Sequence, residues 1–162
     1  MTVAWPGVAP KSTAAGNTTA GKAGSPRHTK LAPDLLRGVQ ALVVDDLGDV
    51  AAVLASMLEA AGAIAFAETD PDFVKEVLSE APAEWSVLVT DLHMPGCDGV
   101  ALARFAAGLS PPVPVVLVTA RPDTLGDVSA RDFAAVLSKP VTAAQLARAV
   151  RDAADSRKPG SR

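Results

Sequence analysis

From residue 39 onward the chain alternates short, apolar, β-rich runs with amphipathic stretches. This alternation limits the number of folds that the chain can adopt. The runs cover residues 39–44, 63–67, 86–90, 113–118 and 133–137. Strands that alternate with helices along a chain form a parallel sheet, and right-handed crossovers then place helices on both of its faces. We therefore predict an α/β fold, a doubly wound five-stranded parallel sheet with helices on both faces.

Between the predicted strands, apolar residues recur at the spacing of an amphipathic helix. After the first strand this helical spacing holds for Val50, Val53, Leu54, Met57, Leu58 and Ala61. Asp70 followed by Pro71 predicts the start of the second helix, because aspartate caps free amides and proline is favoured at the first helical position. Thr142 and Gln145 have the spacing of a capping box, which predicts the start of the last helix.

The first part of the chain differs in composition from the rest. Residues 1–36 are rich in Gly, Ala, Thr and Pro, so ordering them would cost entropy without burying much apolar surface. We predict a flexible basic tail or linker over residues 1–36, one folded domain over 37–155 and a disordered C-terminal tail over 156–162. The whole chain has 162 residues, of which 49% are hydrophobic, and this is enough for one such core.

Charge and cysteine content exclude several classes of protein. Residues 1–38 carry five basic side chains and one acidic one, whereas the remainder carries 10 basic and 17 acidic side chains. The net negative charge of residues 39–162 argues against direct DNA binding. The single Cys97 permits no disulfide within the chain, and neither a signal peptide nor a run of apolar residues long enough to span a membrane is present. We expect a cytoplasmic protein that does not insert into membranes.

Charged and hydroxyl side chains follow four of the predicted strands directly. They are Asp45 and Asp46 after the first strand, Asp91 after the third, Thr119 at the end of the fourth and Lys139 after the fifth. The carboxyl ends of parallel strands meet at one edge of a sheet, where such folds bind their ligands. Three carboxylates gathered there need a cation, and oxygen ligands at an open site suit Mg²⁺. With a lysine and a hydroxyl opposite, the set predicts phosphoryl transfer onto an aspartate.

Four sequence motifs in this order resemble the receiver domain of response regulators in two-component signalling. They are LVVDD, LVTDLHMPGCDG, VLVTA and LSKP, and the resemblance covers residues 39 to about 155. DD or KP alone would carry no information, whereas the ordered set at the strand ends is specific. The resemblance implies the flavodoxin-like receiver fold.

The resemblance also implies a role for each of these positions. Asp91 would accept the phosphoryl group from a phosphohistidine. Mg²⁺ would be bound directly by Asp46, by Asp91 and by the backbone carbonyl of His93, and Asp45 would reach the metal through water or orient it. The phosphoryl oxygens would be bound by Thr119, by the backbone amide of Ala120 and by Lys139.

Two features depart from the pattern of the family. Val136 stands three residues before Lys139, where members often carry a Tyr or Phe that turns inward in the phosphorylated state, so an aromatic switch is not expected. A small aliphatic residue there is more similar to the receivers of hybrid histidine kinases. The segment from Thr119 to Lys139 is also short, which predicts a short or irregular fourth helix.

The resulting hypothesis is a phosphoacceptor receiver that signals through altered protein contacts. Its expected partners are a histidine kinase or phosphotransfer protein, a downstream protein and a second copy in a homodimer. Its own catalysis would be limited to promoting its phosphorylation and dephosphorylation. Two alternatives stay open at this point: a degenerate receiver acting as a constitutive interaction module, and a Mg²⁺-dependent phosphohydrolase that passes through an aspartyl phosphate.

Overall fold

The computed structural model describes residues 32–126 and 130–157. Five parallel strands form the main sheet in the order β2-β1-β3-β6-β7. These strands are β1 (Gln40–Val44), β2 (Ile64–Glu68), β3 (Val87–Thr90), β6 (Val115–Thr119) and β7 (Ala135–Ser138). The predicted doubly wound, five-stranded parallel sheet is confirmed, and each strand lies within two residues of its predicted bounds at either end.

Four helices connect or flank the strands in the described residues. They are α1 (Gly48–Ala60), α2 (Pro71–Glu80), α3 (Gly99–Ala107) and α4 (Ala143–Ser156). Between β3 and α3, two strands of two residues each form a small antiparallel hairpin, β4 (His93–Met94) and β5 (Cys97–Asp98). None of the described helices has the length and apolar composition needed to cross a bilayer.

The two faces of the sheet are covered by different pairs of helices. Successive residues of a strand point to opposite faces, so Val43 packs in one apolar cluster and Leu42 in the other. The Val43 cluster includes α1 and α4, through Leu54, Leu58, Leu146 and Val150. The Leu42 cluster includes α2 and α3, through Val74, Leu78, Leu102 and Ala106. Strands β3 and β6 are fully buried between the two layers, which is why their sequences read as continuous apolar runs.

Three helices begin at residues whose side chains bind the free backbone amides of the first turn. The Asp70 side chain accepts from Asp72 N at 2.9 Å and Phe73 N at 3.4 Å, with Pro71 as the first residue of α2. Asp98 caps α3 by accepting from Val100 N at 2.9 Å. Both bonds of the Thr142 and Gln145 capping box are present at the start of α4. The predicted starts of the second and last helices are confirmed.

The structure places the start of the folded domain earlier than the predicted boundary after residue 36. Leu36 is fully buried in the Val43 cluster, and its amide donates to the carbonyl of Ala61 at 2.8 Å. The predicted boundary itself stays a prediction, and Leu35 next to Leu36 also packs against this cluster. At the other end, Arg157 donates to the carbonyl of Pro82, so the domain reaches residue 157. The predicted tails over residues 1–31 and 158–162 lie outside the described residues.

The connection between β6 and β7 holds a short 3₁₀ helix at Pro122–Thr124. After it, Leu125 and Phe133 are buried in the Leu42 cluster, and Arg104 of α3 forms an ion pair with Asp132 at 3.0 Å. Residues 127–129 lie outside the described residues. The short or irregular helix predicted between Thr119 and Lys139 therefore stays a prediction.

Candidate functional site

Strand register brings the predicted site residues to one edge of the sheet. Val44 of β1 is paired with Thr90 of β3, so Asp45 and Asp91, the residues that follow, leave the sheet side by side. The pairing of β6 with β7 brings the amide of Lys139 to the carbonyl of Thr119, at 2.8 Å. Residues far apart in the sequence therefore share a site because the strands are parallel and in register.

Lys139 is the residue that joins the two carboxylates. Its Nζ lies 2.7 Å from Asp45 Oδ2 and 3.4 Å from Asp91 Oδ1. The side chain of Asp45 is 2% exposed and that of Asp91 is 14% exposed, so Asp91 is the carboxylate of the pair that a reactant from solvent can reach. Burial lowers the pKa of Lys139, but the hydrogen bond that it donates to Asp45 and the charges of Asp91 and Asp45 together leave it above its ordinary value. Lys139 therefore supplies a permanent positive charge at neutral pH.

The backbone around Asp45 holds this carboxylate in a fixed orientation. Its Oδ1 accepts from the amide of Leu47 at 3.0 Å, and its own amide donates to the carbonyl of Glu68 at 3.2 Å. The residue that caps α1 is Leu47, with no side-chain hydrogen bond, so Asp45 is not there as a helix cap. Its position directs one oxygen to the backbone and the other to Lys139.

Asp46 differs from its neighbour in being exposed. Among the described residues it forms no hydrogen bond or ion pair, and it lines an open cleft of about 770 Å³ at the mouth of the site. The cleft is also lined by His93, Met94 and Thr124. Asp46 thus presents a solvated carboxylate beside the loop that follows Asp91.

Gly99, which the sequence reasoning did not single out, fits tightly against the backbone of Asp91. A Cβ at this position would collide with the carbonyl oxygen of Asp91 and would lie 3.0 Å from Leu92 Cα. The Gly99 amide donates to the carbonyl of Leu92 at 2.8 Å, and Thr90 Oγ1 donates to the Asp91 carbonyl at 2.9 Å. These contacts fix where Asp91 leaves the sheet. The Asp-Gly pair at the start of α3 was the available sequence signal.

The remaining predicted residues lie around this centre with different exposures. Thr119 is buried, with 2% of its surface exposed, and its Oγ1 accepts from the amide of Arg121 at 3.2 Å. Ala120 is exposed at the end of β6. His93 is exposed on β4 opposite Asp98, and the role of its carbonyl stays a prediction.

The donor set fits a divalent cation in type and charge. Asp45, Asp46 and Asp91 with Lys139 carry a formal charge of −2, which one divalent ion would neutralise, and carboxylate oxygens are the ligands that Mg²⁺ prefers. In residues 32–126 and 130–157, no three carboxylate, imidazole or thiol groups already converge on a position for a metal ion. Instead, the ammonium group of Lys139 lies between the carboxylates of Asp45 and Asp91 in this structure.

Val136, the position that departs from the family pattern, lies on β7. It is half-buried, pairs with Leu117 of β6 and packs against the Leu42 cluster. A valine in this place has neither the ring nor the hydroxyl that a tyrosine switch would use. The expectation that no aromatic switch operates at this position stays a prediction.

Fold and site together define a class: a doubly wound α/β protein with an acidic, lysine-containing site at the carboxyl edge of its sheet. The family model for the response regulator receiver domain matches residues 41–151. The chain belongs to the response regulator receiver domain family of two-component signal transduction.

Known proteins similar to the chain agree with this assignment. It is 31% identical over 119 residues to the C4-dicarboxylate transport transcriptional regulatory protein DctD of Rhizobium meliloti, covering 72% of this chain and 25% of DctD. A response regulator receiver protein from Burkholderia phymatum superposes with a TM-score of 0.63 at 29% identity, covering 72% of this chain and 95% of that one. The response regulator TrrA of Thermotoga maritima, solved with Mg²⁺ and BeF, gives a TM-score of 0.62 at 19% identity, covering 71% and 98%. The chain thus spans about a quarter of the length of DctD.

Proposed function

We propose that this domain accepts a phosphoryl group on Asp91 from the phosphohistidine of a histidine kinase or phosphotransfer protein, with Mg²⁺ as its cofactor. The observation that carries the proposal is the position of Asp91. It is partly exposed, it follows the central strand β3, and it lies 3.4 Å from the ammonium group of Lys139. Among the site carboxylates, Asp91 combines access from solvent with contact to a fixed positive charge.

The reaction follows from the chemistry of these groups. A carboxylate oxygen of Asp91 forms the new bond to phosphorus as the bond to the histidine nitrogen breaks, and the electron pair of that bond returns to the imidazole. Lys139 would offset the negative charge of the transferred group, and the Thr119 hydroxyl would donate a hydrogen bond to one of its oxygens. The Ala120 amide is proposed as a second donor. Mg²⁺, when bound, would neutralise charge on the carboxylates and the phosphoryl oxygens.

The residues proposed to bind Mg²⁺ directly are Asp46 and Asp91, with the backbone carbonyl of His93. Asp45 would reach the metal through water or orient it. Asp46 has no partner among the described residues, so binding a cation there breaks no existing contact. The response regulator TrrA of Thermotoga maritima, which shares the fold, was solved in complex with Mg²⁺ and BeF, and this supports Mg²⁺ as the proposed cofactor.

The proposed output is a change in contacts with other proteins. Phosphorylation would draw Lys139 and Thr119 toward the new phosphoryl oxygens, and this would disturb the β6 and β7 ends that carry them. Cytoplasmic location, contact with a downstream protein and formation of a homodimer belong to the same proposal. Because the chain spans a quarter of DctD, the transcriptional role in that protein's name is not carried over.

The proposal is tested by intact-mass spectrometry after incubation with acetyl phosphate and MgCl₂. The expected result is a single phosphoryl adduct that disappears with excess EDTA and in Asp91→Asn. Asp123→Asn is the control, because Asp123 is an exposed carboxylate of the 3₁₀ helix near the same cleft, and its variant should be phosphorylated like wild type. Failure of the wild-type chain to form an adduct would favour the constitutive interaction module.

A further inference from the structure

A second cavity lies at the opposite edge of the sheet from Asp91. Its volume is about 390 Å³, and its lining includes the residues that precede two strands, Gly38 and Val39 before β1 and Ser86 before β3. The lining also includes residues from the last turns of α4. The cavity is therefore separated from the phosphoacceptor site by the length of the strands.

Three arginines line this cavity, Arg37, Arg151 and Arg157, together with one carboxylate, Asp155. Arg151 Nε pairs with Asp155 Oδ2 at 2.8 Å. Arg157 Nη2 donates to the carbonyl of Pro82 at 2.6 Å, an uncharged acceptor. Among the described residues, no carboxylate lies within 4.0 Å of a guanidinium nitrogen of Arg37 or Arg157.

Arg157 and Ser86 each carry hydrogen-bond donors that no charged acceptor binds among the described residues. Burial lowers the pKa of Arg157, because part of its guanidinium has lost contact with water. Ser86 Oγ accepts from the amide of Gln40 at 3.1 Å, and within the described residues its hydroxyl hydrogen has no acceptor. An anion in the cavity would supply acceptors to both.

We propose that this cavity, the arginine pocket, binds a phosphate group. Three guanidinium groups and one carboxylate give the lining a formal charge of +2, which matches a phosphate dianion better than a single carboxylate. Guanidinium groups bind phosphate oxygens in pairs, so Arg37 and Arg157, which have no carboxylate partner in the part of the chain that the structure describes, suit this ligand. The volume exceeds that of one phosphate, so the group can be carried by a small organic molecule. The inference does not depend on phosphorylation of Asp91.

An anion held here would join the two ends of the described domain. Arg37 lies in the first described turn and Arg157 is the last described residue, and both line the same pocket. Binding would thus stabilise the packing of the turn at residues 33–38 against the end of α4. This gives the ligand a measurable effect on stability as well as on the spectra of nearby amides.

The test is to titrate the ¹⁵N-labelled full chain with inorganic phosphate or with phenyl phosphate, in EDTA and at constant ionic strength. Two-dimensional NMR spectra monitor the backbone amides during the titration. The expected result is saturable shifts of the Gly38, Ser86 and Ala154 amides with at least one of the two ligands. Saturation by both indicates free phosphate, and saturation by phenyl phosphate alone indicates a phosphate ester. No saturable shift with either ligand, or saturation centred on Asp91, would overturn the proposal.

Matched arginine variants separate a built pocket from general charge attraction. Arg37→Gln with Arg157→Gln should weaken binding at least tenfold, whereas Arg148→Gln, at an exposed arginine of α4 outside the pocket, should leave it unchanged. Equal weakening by Arg148→Gln, or unchanged binding in the double variant, would contradict the pocket. Because Arg37 is exposed, Arg37→Gln alone keeps the test available if the double variant does not fold, and it should weaken binding by itself.

Discussion

The ammonium nitrogen of Lys139 lies 2.7 Å from Asp45 Oδ2, although the two residues are 94 positions apart in the chain. The contact joins the outermost strand β7 to β1 across the carboxyl edge of the sheet. Since Asp45 is almost fully buried and Asp91 adds a second carboxylate, the lysine offsets a local excess of negative charge. The same contact therefore contributes to folding and places a cation where the phosphoryl group is proposed to arrive.

Lys139→Met should destabilise the protein, because it leaves the buried Asp45 carboxylate without its charged partner. We expect a loss of about 2 kcal/mol, below the ~3–5 kcal/mol typical of a fully buried pair, since Lys139 is partly exposed. Urea unfolding at neutral pH in EDTA measures it. The control is Lys75→Met, which removes the exposed pair with Asp72 and should cost less than about 0.5 kcal/mol. Equal effects of the two variants would contradict this account of Lys139.

Asp46→Asn should separate metal binding from folding. Asp46 is exposed and has no partner among the described residues, so without metal the variant should be about as stable as wild type. Mg²⁺ at ~100 times its Kd should stabilise wild type by about 2.7 kcal/mol, and Asp46→Asn should lose most of that gain. Thermal unfolding with and without MgCl₂ is the measurement. Asp49→Asn, at an exposed carboxylate in the first turn of α1, should keep the full response to Mg²⁺. A normal response in Asp46→Asn would remove it from the metal site.

Gly99→Ala should destabilise the domain by about 1–3 kcal/mol, the usual cost of inserting an atom into a packed region. The added Cβ collides with the carbonyl of Asp91, so the loop carrying Asp91 has to shift. Phosphorylation by acetyl phosphate should slow as well. Gly48→Ala is the matched control, since a Cβ there meets only Thr69 Cγ2 at 3.5 Å. If the two alanine variants were equally stable, the contact between Gly99 and Asp91 would have no energetic role.

Glu68→Gln should stabilise the protein at neutral pH and have no such effect in acid. Burial and the nearby charge of Asp70 raise the pKa of Glu68 above 4.5. The folded state then holds this proton more tightly than the unfolded state, so stability falls as pH rises from about 4.5 through the folded pKa. Because Glu68 is only half-buried and solvent screens its charge, the gain at pH 7 should stay below about 1 kcal/mol. Urea unfolding across this pH range checks it, and a gain that persists unchanged at low pH would contradict the assigned cause.

Much of the fold was predictable because its signals are local. The alternation of apolar runs with helical spacing gave five strands, and Asp70 and Thr142 marked helix starts through the amides that they cap. The parallel topology then brought Asp45, Asp91 and Lys139 together, as predicted. The packing of Leu35 and Leu36 against the Val43 cluster was not predicted, because two adjacent apolar residues show neither helical nor strand periodicity.

The details of the site depended on contacts that no sequence pattern encodes. The close approach of Gly99 to Asp91 depends on how the β4–β5 hairpin returns the chain to the end of β3. The arginine pocket joins residues from the first turn, the segment before β3 and the last helix. Such groups are neighbours only after the sheet is assembled, so no pattern in the sequence marks them as a site.

The central claim is that Asp91 is the phosphoacceptor, and chemical trapping of the acyl phosphate tests it most directly. After incubation with acetyl phosphate and MgCl₂, borohydride would reduce the phosphorylated aspartate to homoserine. Trypsin would separate residues 76–104 from residues 38–75, which carry Asp45 and Asp46, and tandem mass spectrometry would distinguish Asp91 from Asp98 within the first peptide. The account predicts reduction at Asp91 alone, dependent on Mg²⁺. Reduction at Asp45, Asp46 or Asp98, or no reduction in a folded chain supplied with donor and metal, would contradict it.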